Sequence, residues 1–478
     1  MGLITYRMNT RIGYWKGTAG LIGLLTGLTA LFPSRPMPDL GMPAKSTKPN
    51  VIFLLTDDHR WDALGAMGNT VIKTPHLDAL AKEGILFRKA YVTTAICSIS
   101  RASLLSGQYE SRHRISDFAT DFTPQALANT YPMLLRKAGY HIGFVGKYGV
   151  GENPPADQFD YWACNKKGQP PYWYINQSGQ PIHHTDSVAH SVQLFLDQFG
   201  NEGPFCLSVS FKAPHELDGN PPTYPVQERY KALYNDTAMI VPETADPNYW
   251  ASFPDFFRTD ENLARARWKP LFSTPALHQE TVRNYYRLIT GVDEVVGTIV
   301  AQLKRLNIDK NTVIVFMGDN GFYLGEHGME GKWYGHEASI RVPLLMHGTP
   351  LPARLKGRSS NRIALNIDIA PTILALAGVT TPARMQGIDL VQTLQQKTPA
   401  HRDFFYEHRY LGSPKLPQVE GVVGQPYKYM TFIEHQYEQL YNTDDDPNET
   451  RNLATDTHYA DVLQKLRKRH SYWKKEAQ

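Results

Sequence analysis

The chain predicts an α/β fold: a large, mostly parallel sheet sandwiched by helices, followed by a smaller α+β C-terminal region. Three observations predict it. First, Val51-Ile52-Phe53-Leu54-Leu55 is an unbroken apolar run, and similar runs recur at His141–Val145, Phe205–Phe211, Thr312–Met317 and Val342–Met346. A strand covered on both faces reads this way because neither side meets water. Second, helical patterns lie between the runs, at His76–Glu83, Ala102–Gln108, Tyr131–Ala138, Ser187–Phe199, Thr281–Leu306 and Asp368–Leu376. Strands alternating with helices build parallel sheets. Third, the pattern changes beyond Gly378 to short strand-like pieces, His401–Glu407 and Tyr427–Ile433, closed by a basic helix from Tyr459 to Lys475.

In chain order, Arg7, Arg11 and Lys16 precede the apolar stretch Leu21–Phe32, and no acidic residue occurs before Asp39. This is the layout of a secretory signal peptide, assigned to residues 1–35. The stretch is short of the roughly 20 residues a membrane span needs. The expectation is an exported protein, periplasmic or secreted, with no stable membrane span. Residues 36–49 read as a linker, with five prolines between Pro33 and Pro49. The main domain is expected over 50–377 and the C-terminal subdomain over 378–478. The stretch from Pro214 to Pro275, rich in Pro, Tyr, Asn and Asp, reads as a long excursion of the kind that shapes substrate sites.

With 478 residues, 42% hydrophobic and 20% charged, the composition is that of a globular protein and excludes disorder. A formal charge of +4 without a Lys/Arg run excludes a nucleic-acid binder. Three cysteines exclude a disulfide scaffold. Cys206, inside an apolar run, reads as a core thiol, with a Cys164–Cys206 bridge the pairing open to an exported chain. His183-His184, and His336 with Glu337, resemble zinc ligands by residue type, but the first pair sits just before a helix and matches no ligand spacing.

The chemistry gathers at strand ends, where open α/β sheets bind ligands. Asp57-Asp58 follows the first apolar run, and Asp319-Asn320 follows Thr312–Met317. Either pair alone would serve as a turn or helix cap. Together, three carboxylates and an amide oxygen form a hard site suited to Ca²⁺ or Mg²⁺. Cys97-Ser98-Ile99-Ser100-Arg101 opens a helical pattern. That spacing puts Arg101 one turn from Cys97, beside a helix N-terminus suited to a tetrahedral oxyanion.

At these residues the chain resembles the type I, formylglycine-dependent sulfatases of the alkaline phosphatase superfamily. In that family the cysteine of a C-x-P/A-x-R motif becomes formylglycine, whose hydrated aldehyde attacks the sulfate ester. Other blocks match in order: Asn50-Val51-Ile52 through Asp57-Asp58, Thr74-Pro75-His76-Leu77-Asp78, Gly146-Lys147-Tyr148, Ala213-Pro214-His215, Gly318-Asp319-Asn320-Gly321, Gly331-Lys332-Trp333 and Arg341-Val342-Pro343-Leu344. The tail Leu440-Tyr441 through Asp446-Pro447-Asn448-Glu449 and Asn452-Leu453-Ala454 extends the likeness to about residue 455. The resemblance implies an alkaline phosphatase-like fold. It makes Asp57, Asp58, Asp319, Asn320 and the converted Cys97 the Ca²⁺ ligands. Arg101 would hold the formylglycine, Lys147 and Lys332 the sulfate oxygens, and His215 the ester oxygen. A maturation enzyme that generates formylglycine becomes an expected partner. Cations preorganised around a sulfate and its leaving oxygen are the largest expected catalytic effect.

The chain departs from the family pattern twice. Ile99 stands where Pro or Ala is usual, and Gly149 where G-K-x-H would carry a histidine. His327 is the candidate substitute base. The expected activity is hydrolysis of a sulfate ester on a polysaccharide or oligosaccharide. The aromatic stretches Pro170–Tyr174 and Tyr249–Trp268 are candidate sugar platforms, and His408 and Arg409 candidate specificity residues. The alternatives are a phosphodiester or phosphonate hydrolase of the same superfamily, and a catalytically silent binder of sulfated glycans.

Overall fold

The computed structural model describes residues 48–478 except Lys167, Gln177, 397–400 and 411–415. The signal-peptide segment and all but the last two linker residues lie outside the described residues.

Nine strands form the main sheet: β1 (Asn50–Asp57), β2 (Ile85–Tyr91), β3 (His141–Gly146), β4 (Tyr161–Cys164), β5 (Phe205–Pro214), β6 (Thr312–Gly318), β7 (Arg341–Gly348), β8 (Arg358–Ser360) and β9 (Ala364–Leu365). Their order is β8-β2-β7-β6-β1-β5-β3-β4, with β9 also on β2. β7 alone runs against the rest, antiparallel to both β2 and β6. β1 is central and parallel to both neighbours, with Val51 opposite Cys206 and Val313.

Every residue of β1 is buried. Successive side chains alternate across a strand, so Val51, Phe53 and Leu55 enter one apolar core while Ile52 and Leu54 enter another on the opposite face. The first core is covered by α2 (Cys97–Ser106), α3 (Tyr131–Lys137) and, further along the chain, Ile369–Leu376. The second is covered by α1 (Pro75–Glu83), α4 (His184–Phe199) and a 31-residue helix, Pro275–Arg305. Truncating Leu54, which is fully buried, to alanine would cost about 2–5 kcal/mol in lost transfer energy and a cavity.

The helix expected from Thr281 begins six residues earlier, because Pro275 fits its first turn and Thr274 accepts from the Leu277 N–H at 3.2 Å. The long excursion holds a five-residue helix, Pro247–Ala251, and a longer one, α5 (Leu263–Phe272); Pro275–Arg305 is then α6 and Ile369–Leu376 α7. In the C-terminal region four antiparallel strands, β10 (Phe404–His408), β11 (Val419–Val423), β12 (Tyr427–Phe432) and β13 (Tyr437–Asn442), carry helix α8 (Ala460–Glu476). Phe404, Phe405, Tyr406 and Phe432 join the same core as Val51, so this sheet is welded to the main one.

No helix among the described residues is long and apolar enough to cross a membrane. Cys97, Cys164 and Cys206 are all free thiols, so the Cys164–Cys206 bridge does not form. Cys206 sits inside β5 facing Val51 and Ile142, while Cys164 ends β4 opposite Gly146.

Candidate active site

The carboxyl ends of β1 and β6 lie side by side, joined where the Asp319 N–H donates to the Thr56 carbonyl at 2.9 Å. Asp58 turns the chain in the left-handed region (φ 62°), and its carbonyl accepts from the Tyr285 hydroxyl at 2.6 Å. Asp319 is fully engaged: Oδ1 accepts from the Asp58 N–H (3.1 Å) and Oδ2 from Arg101 Nε (2.8 Å). The Asn320 amide donates to Asp58 Oδ1 (2.5 Å) and to the Gly321 carbonyl (2.8 Å). Three buried oxygens, Asp57 Oδ1, Asp58 Oδ2 and Asn320 Oδ1, have no hydrogen-bond partner among the described residues. Orphaned buried acceptors are expensive unless something electropositive meets them. Oxygen donors of this kind fit a hard divalent cation. Among the described residues, Asp57, Asp58 and His215 are also the His/Cys/acid group close enough to hold an ion, with ligand atoms within 4.8 Å of one another.

Three cations face the three carboxylates. Lys147, one residue past β3, pairs with Asp57, and Lys332 pairs with Asp58. Arg101 bonds Asp319, stands 3.7 Å from Asp57, and donates to the Lys147 carbonyl at 2.6 Å. Burial alone would raise the Asp57 carboxyl, but Lys147, His215 and Arg101 together hold it well below the usual carboxylate range. Burial and the neighbouring Asp57 charge push Asp319 up to about 7 against Arg101. Cys97 heads α2 and is 3% exposed; burial pushes its thiol up, with Lys147, Lys332, Asp57 and Asp319 as electrostatic neighbours. The predicted residues are thus brought to one place from six segments.

His215 follows β5, and its Nδ1 lies 2.6 Å from the Glu216 carbonyl, so Nδ1 carries the proton. Nε2 is then an acceptor, 3.1 Å from the Gln169 amide nitrogen and 3.5 Å from Asp58 Oδ2. Burial pushes the ring down to about 4. Tyr172 donates its hydroxyl to the His215 carbonyl. Arg267, on α5, bridges the buried Glu216 and Glu330, with Glu330 at 2.7 Å. Lys212, inside β5, donates to the Pro170 carbonyl at 2.6 Å and is pushed down to about 8 by burial and by Lys147.

The sequence reading missed Gln169, Lys212, Arg267 and Glu330. Lys212 carried a signal, a charge inside an apolar run. The others sit on loops and on the excursion helix, where no periodic pattern marks them.

Several expectations are corrected. His327 packs edge-on to Tyr249 and Phe253 and stacks on His336, and its electrostatic neighbours are Asp446 and Lys428, so it is not a base at this site. His408 is fully buried and Arg409 is engaged by Glu420, while the adjoining Tyr410 has Cys97 as an electrostatic neighbour. Tyr172, Phe253 and Phe257 are buried packing residues, leaving Trp173 as the exposed large aromatic of those stretches. Ile99 is a fully buried residue of the first turn of α2. Gly149 adopts φ 73° against the Arg101 and Lys147 side chains.

The Sulfatase family model matches residues 49–379, and a second model, N-sulphoglucosamine sulphohydrolase, C-terminal, matches 325–476. The N-acetylglucosamine-6-O-sulfatase of Bacteroides thetaiotaomicron is 26% identical, covering 88% of this chain and 85% of that protein. The N-sulphoglucosamine sulphohydrolase of Homo sapiens is 26% identical, covering 89% of each. A solved structure in complex with its substrate D-glucosamine-2-N,6-O-disulfate superposes with a TM-score of 0.76 at 25% identity, over 90% of this chain and 98% of that one. The phosphonate monoester hydrolase of Agrobacterium radiobacter, at 21% identity and a TM-score of 0.73 over 90% of this chain and 96% of that one, shares the fold. With more than half its length matched and its strand ends lined as described, the chain belongs to the sulfatase family of the alkaline phosphatase superfamily and is a sulfuric ester hydrolase.

Proposed function

We propose that the protein is an exported enzyme that hydrolyses a sulfate monoester on a polysaccharide or oligosaccharide. In this reading Cys97 is converted to formylglycine by a maturation enzyme. Ca²⁺, with Mg²⁺ as the alternative, is held by Asp57, Asp58, Asp319, Asn320 and the converted residue 97. One observation carries the reading: three donor-less buried oxygens stand inside a ring where Lys147 and Lys332 are already paired to Asp57 and Asp58. With Arg101 the cations balance the carboxylates, so a divalent ion would leave positive charge for an anionic ester. The ion and the formylglycine would supply a Lewis acid and a nucleophile.

The chain's own side chains do the rest. Lys147 and Lys332 exchange carboxylate oxygens for sulfate oxygens and stabilise charge as the S–O bond breaks. Arg101 holds the start of α2 against Asp319 and the Lys147 carbonyl. His215 keeps its Nδ1 proton on the Glu216 carbonyl and takes up or passes a proton at Nε2, the nitrogen turned toward Asp58. The names of the relatives and the disulfated glucosamine in the similar complex support a sulfated amino sugar as substrate. The basic-then-apolar N-terminal segment supports export.

The test is the mass of the tryptic peptide Ala90–Arg101 from protein made in its own host, with turnover of aryl sulfate beside aryl phosphate. The mass loss of Cys97→formylglycine with faster sulfate turnover is expected. An intact thiol without turnover would overturn it in favour of a silent glycan binder. Faster phosphate turnover would favour the phosphodiester or phosphonate reading.

A further inference from the structure

A second cavity, of about 420 Å³, opens among the loops that follow β1 and β6. Its volume lies in the about 300–1,000 Å³ range of small-molecule sites. None of the residues assigned above to the reacting centre lines it; Trp61, Asp62, Val241, Glu243, Tyr286 and His327 do. It adjoins that centre, because Tyr285 accepts from the Arg60 N–H and donates to the Asp58 carbonyl.

His327 is the informative residue. It is 5% exposed and its ring lines the cavity. Its backbone is held at φ 54°, a left-handed conformation that a side chain bearing a Cβ adopts at a cost. The ring is clamped by His336, whose centroid is 4.5 Å away, and by Tyr249 and Phe253. A neutral imidazole fixed in this way offers one donor and one acceptor on opposite edges of the ring, and either suits a hydroxyl group.

The remaining lining has matching chemistry. Trp61 is pinned by the Arg341 guanidinium, 3.8 Å from its ring centroid, and Val241, 57% exposed, adds an apolar rim. Aromatic and apolar surface of this kind covers the C–H faces of a pyranose. Of the five carboxylates in the lining, Asp62 and Glu326 pair with Arg60, and Glu337 and Glu449 pair with Lys428, which leaves a net negative surface that favours hydroxyl donors over sulfate or uronate groups.

We propose that this cavity is an accessory binding site for an unsulfated, hydroxyl-bearing saccharide unit, separate from the reacting centre. It rests on the reading of the substrate as a carbohydrate. Unsubstituted sugars of a patchily sulfated chain would be held here while a sulfated one is cut.

The experiment titrates full-length protein calorimetrically with chitotriose, cellotriose and, as a cationic control, spermidine. At least one neutral trisaccharide should bind. Affinity should fall on the order of tenfold or more in His327→Asn, which tolerates positive φ, and in Trp61→Ala. It should be unchanged in Lys332→Met, which should lose aryl-sulfate turnover, while His327→Asn keeps that turnover. Melting curves identify a misfolded variant, and the other variant then decides. Binding of spermidine alone, of no saccharide, or of saccharide with a loss that follows Lys332→Met would overturn the proposal. Saccharide binding without aryl-sulfate turnover in the wild type would sink the catalytic reading instead.

Discussion

Gly149 and Arg101 are in van der Waals contact so close that a β-carbon at Gly149 would stand 2.9 Å from Arg101 Cδ and 3.2 Å from Lys147 Cε. The missing side chain at the fourth motif block is therefore a steric requirement of this site. Arg101 and Lys147 pass through the space that a larger residue would claim, and the backbone there is left-handed at φ 73°.

Gly149→Ala should destabilise the protein by about 2–5 kcal/mol, combining about 1–2 for the left-handed backbone and about 1–3 for overpacking. Restoring the family histidine, Gly149→His, should lower turnover rather than raise it. Urea unfolding and aryl-sulfate kinetics check both. A Gly149→His variant of normal stability and higher kcat would show that the pocket has room for the ring.

Calcium should raise the melting temperature, and a chelator should abolish the rise. At a free concentration of about 100 times Kd the stabilisation is about 2.7 kcal/mol. In Asp57→Asn, which removes a carboxylate beside the unpartnered acceptors, the increment should fall severalfold. Identical melting curves with calcium and with chelator in the wild type would mean the three free oxygens do not hold an ion.

Glu420 is pulled down to about 2 despite its burial, because His470, Lys474 and Arg409 surround it. The unfolded chain protonates first on acidification, so this contribution is complete at neutral pH and is lost as pH falls from about 4.5 to about 2. Glu420→Gln should therefore cost about 2 kcal/mol at pH 7, below the roughly 3 kcal/mol of the full shift because solvent screens part of it. Near pH 3 the gap should close by about half in denaturant unfolding. A pH-independent gap would count against the ion-pair origin.

His408 is buried with neither ring nitrogen bonded, and burial alone pushes it down to about 3. Below pH 6.5 the unfolded state takes up a proton that the folded state refuses, so stability drains away as pH falls from 6.5 toward 3. His408→Leu should be tolerated at pH 7. Relative to wild type it should gain about 2 kcal/mol between pH 7 and pH 5, at about 1.4 kcal/mol per pH unit below 6.5. If the stability difference stays flat over that interval, His408 meets water or a partner in solution.

The strands that form the middle of the sheet were legible because burial on both faces leaves continuous apolar runs, as in Val51–Leu55 and Thr312–Met317. β2 was not, since Arg88 and Lys89 interrupt it, and neither was β11, where Glu420 and Gly421 break the run. In the site, adjacent acids at two strand ends and the Cys97 to Arg101 spacing were readable because local geometry decides them. Arg267 and Gln169 were not, because only the packing of the excursion and its neighbouring loop brings them to His215. Cys206 was legible as a core thiol from its apolar run, whereas the absence of a bridge to Cys164 was not, because only the strand order, with β3 between β4 and β5, sets their separation.

The two carboxylate-bearing strand ends belong to β1 and β6, and the hydrogen bond between Asn320 and Asp58 spans 262 residues of sequence. On a ribosome adding about 5–20 residues per second, that separation is a delay of roughly 13–52 s. Throughout that interval the apolar ribbon Val51–Leu55 is already made, while its β6 partner does not yet exist. Newly synthesised chains therefore face a wait in which one edge of the middle strand is unsheltered, its β5 neighbour being made first. The charged groups of the centre are all made while β7, β8, β9 and the C-terminal strands are still to come, so the site can begin to assemble before its own sheet is complete.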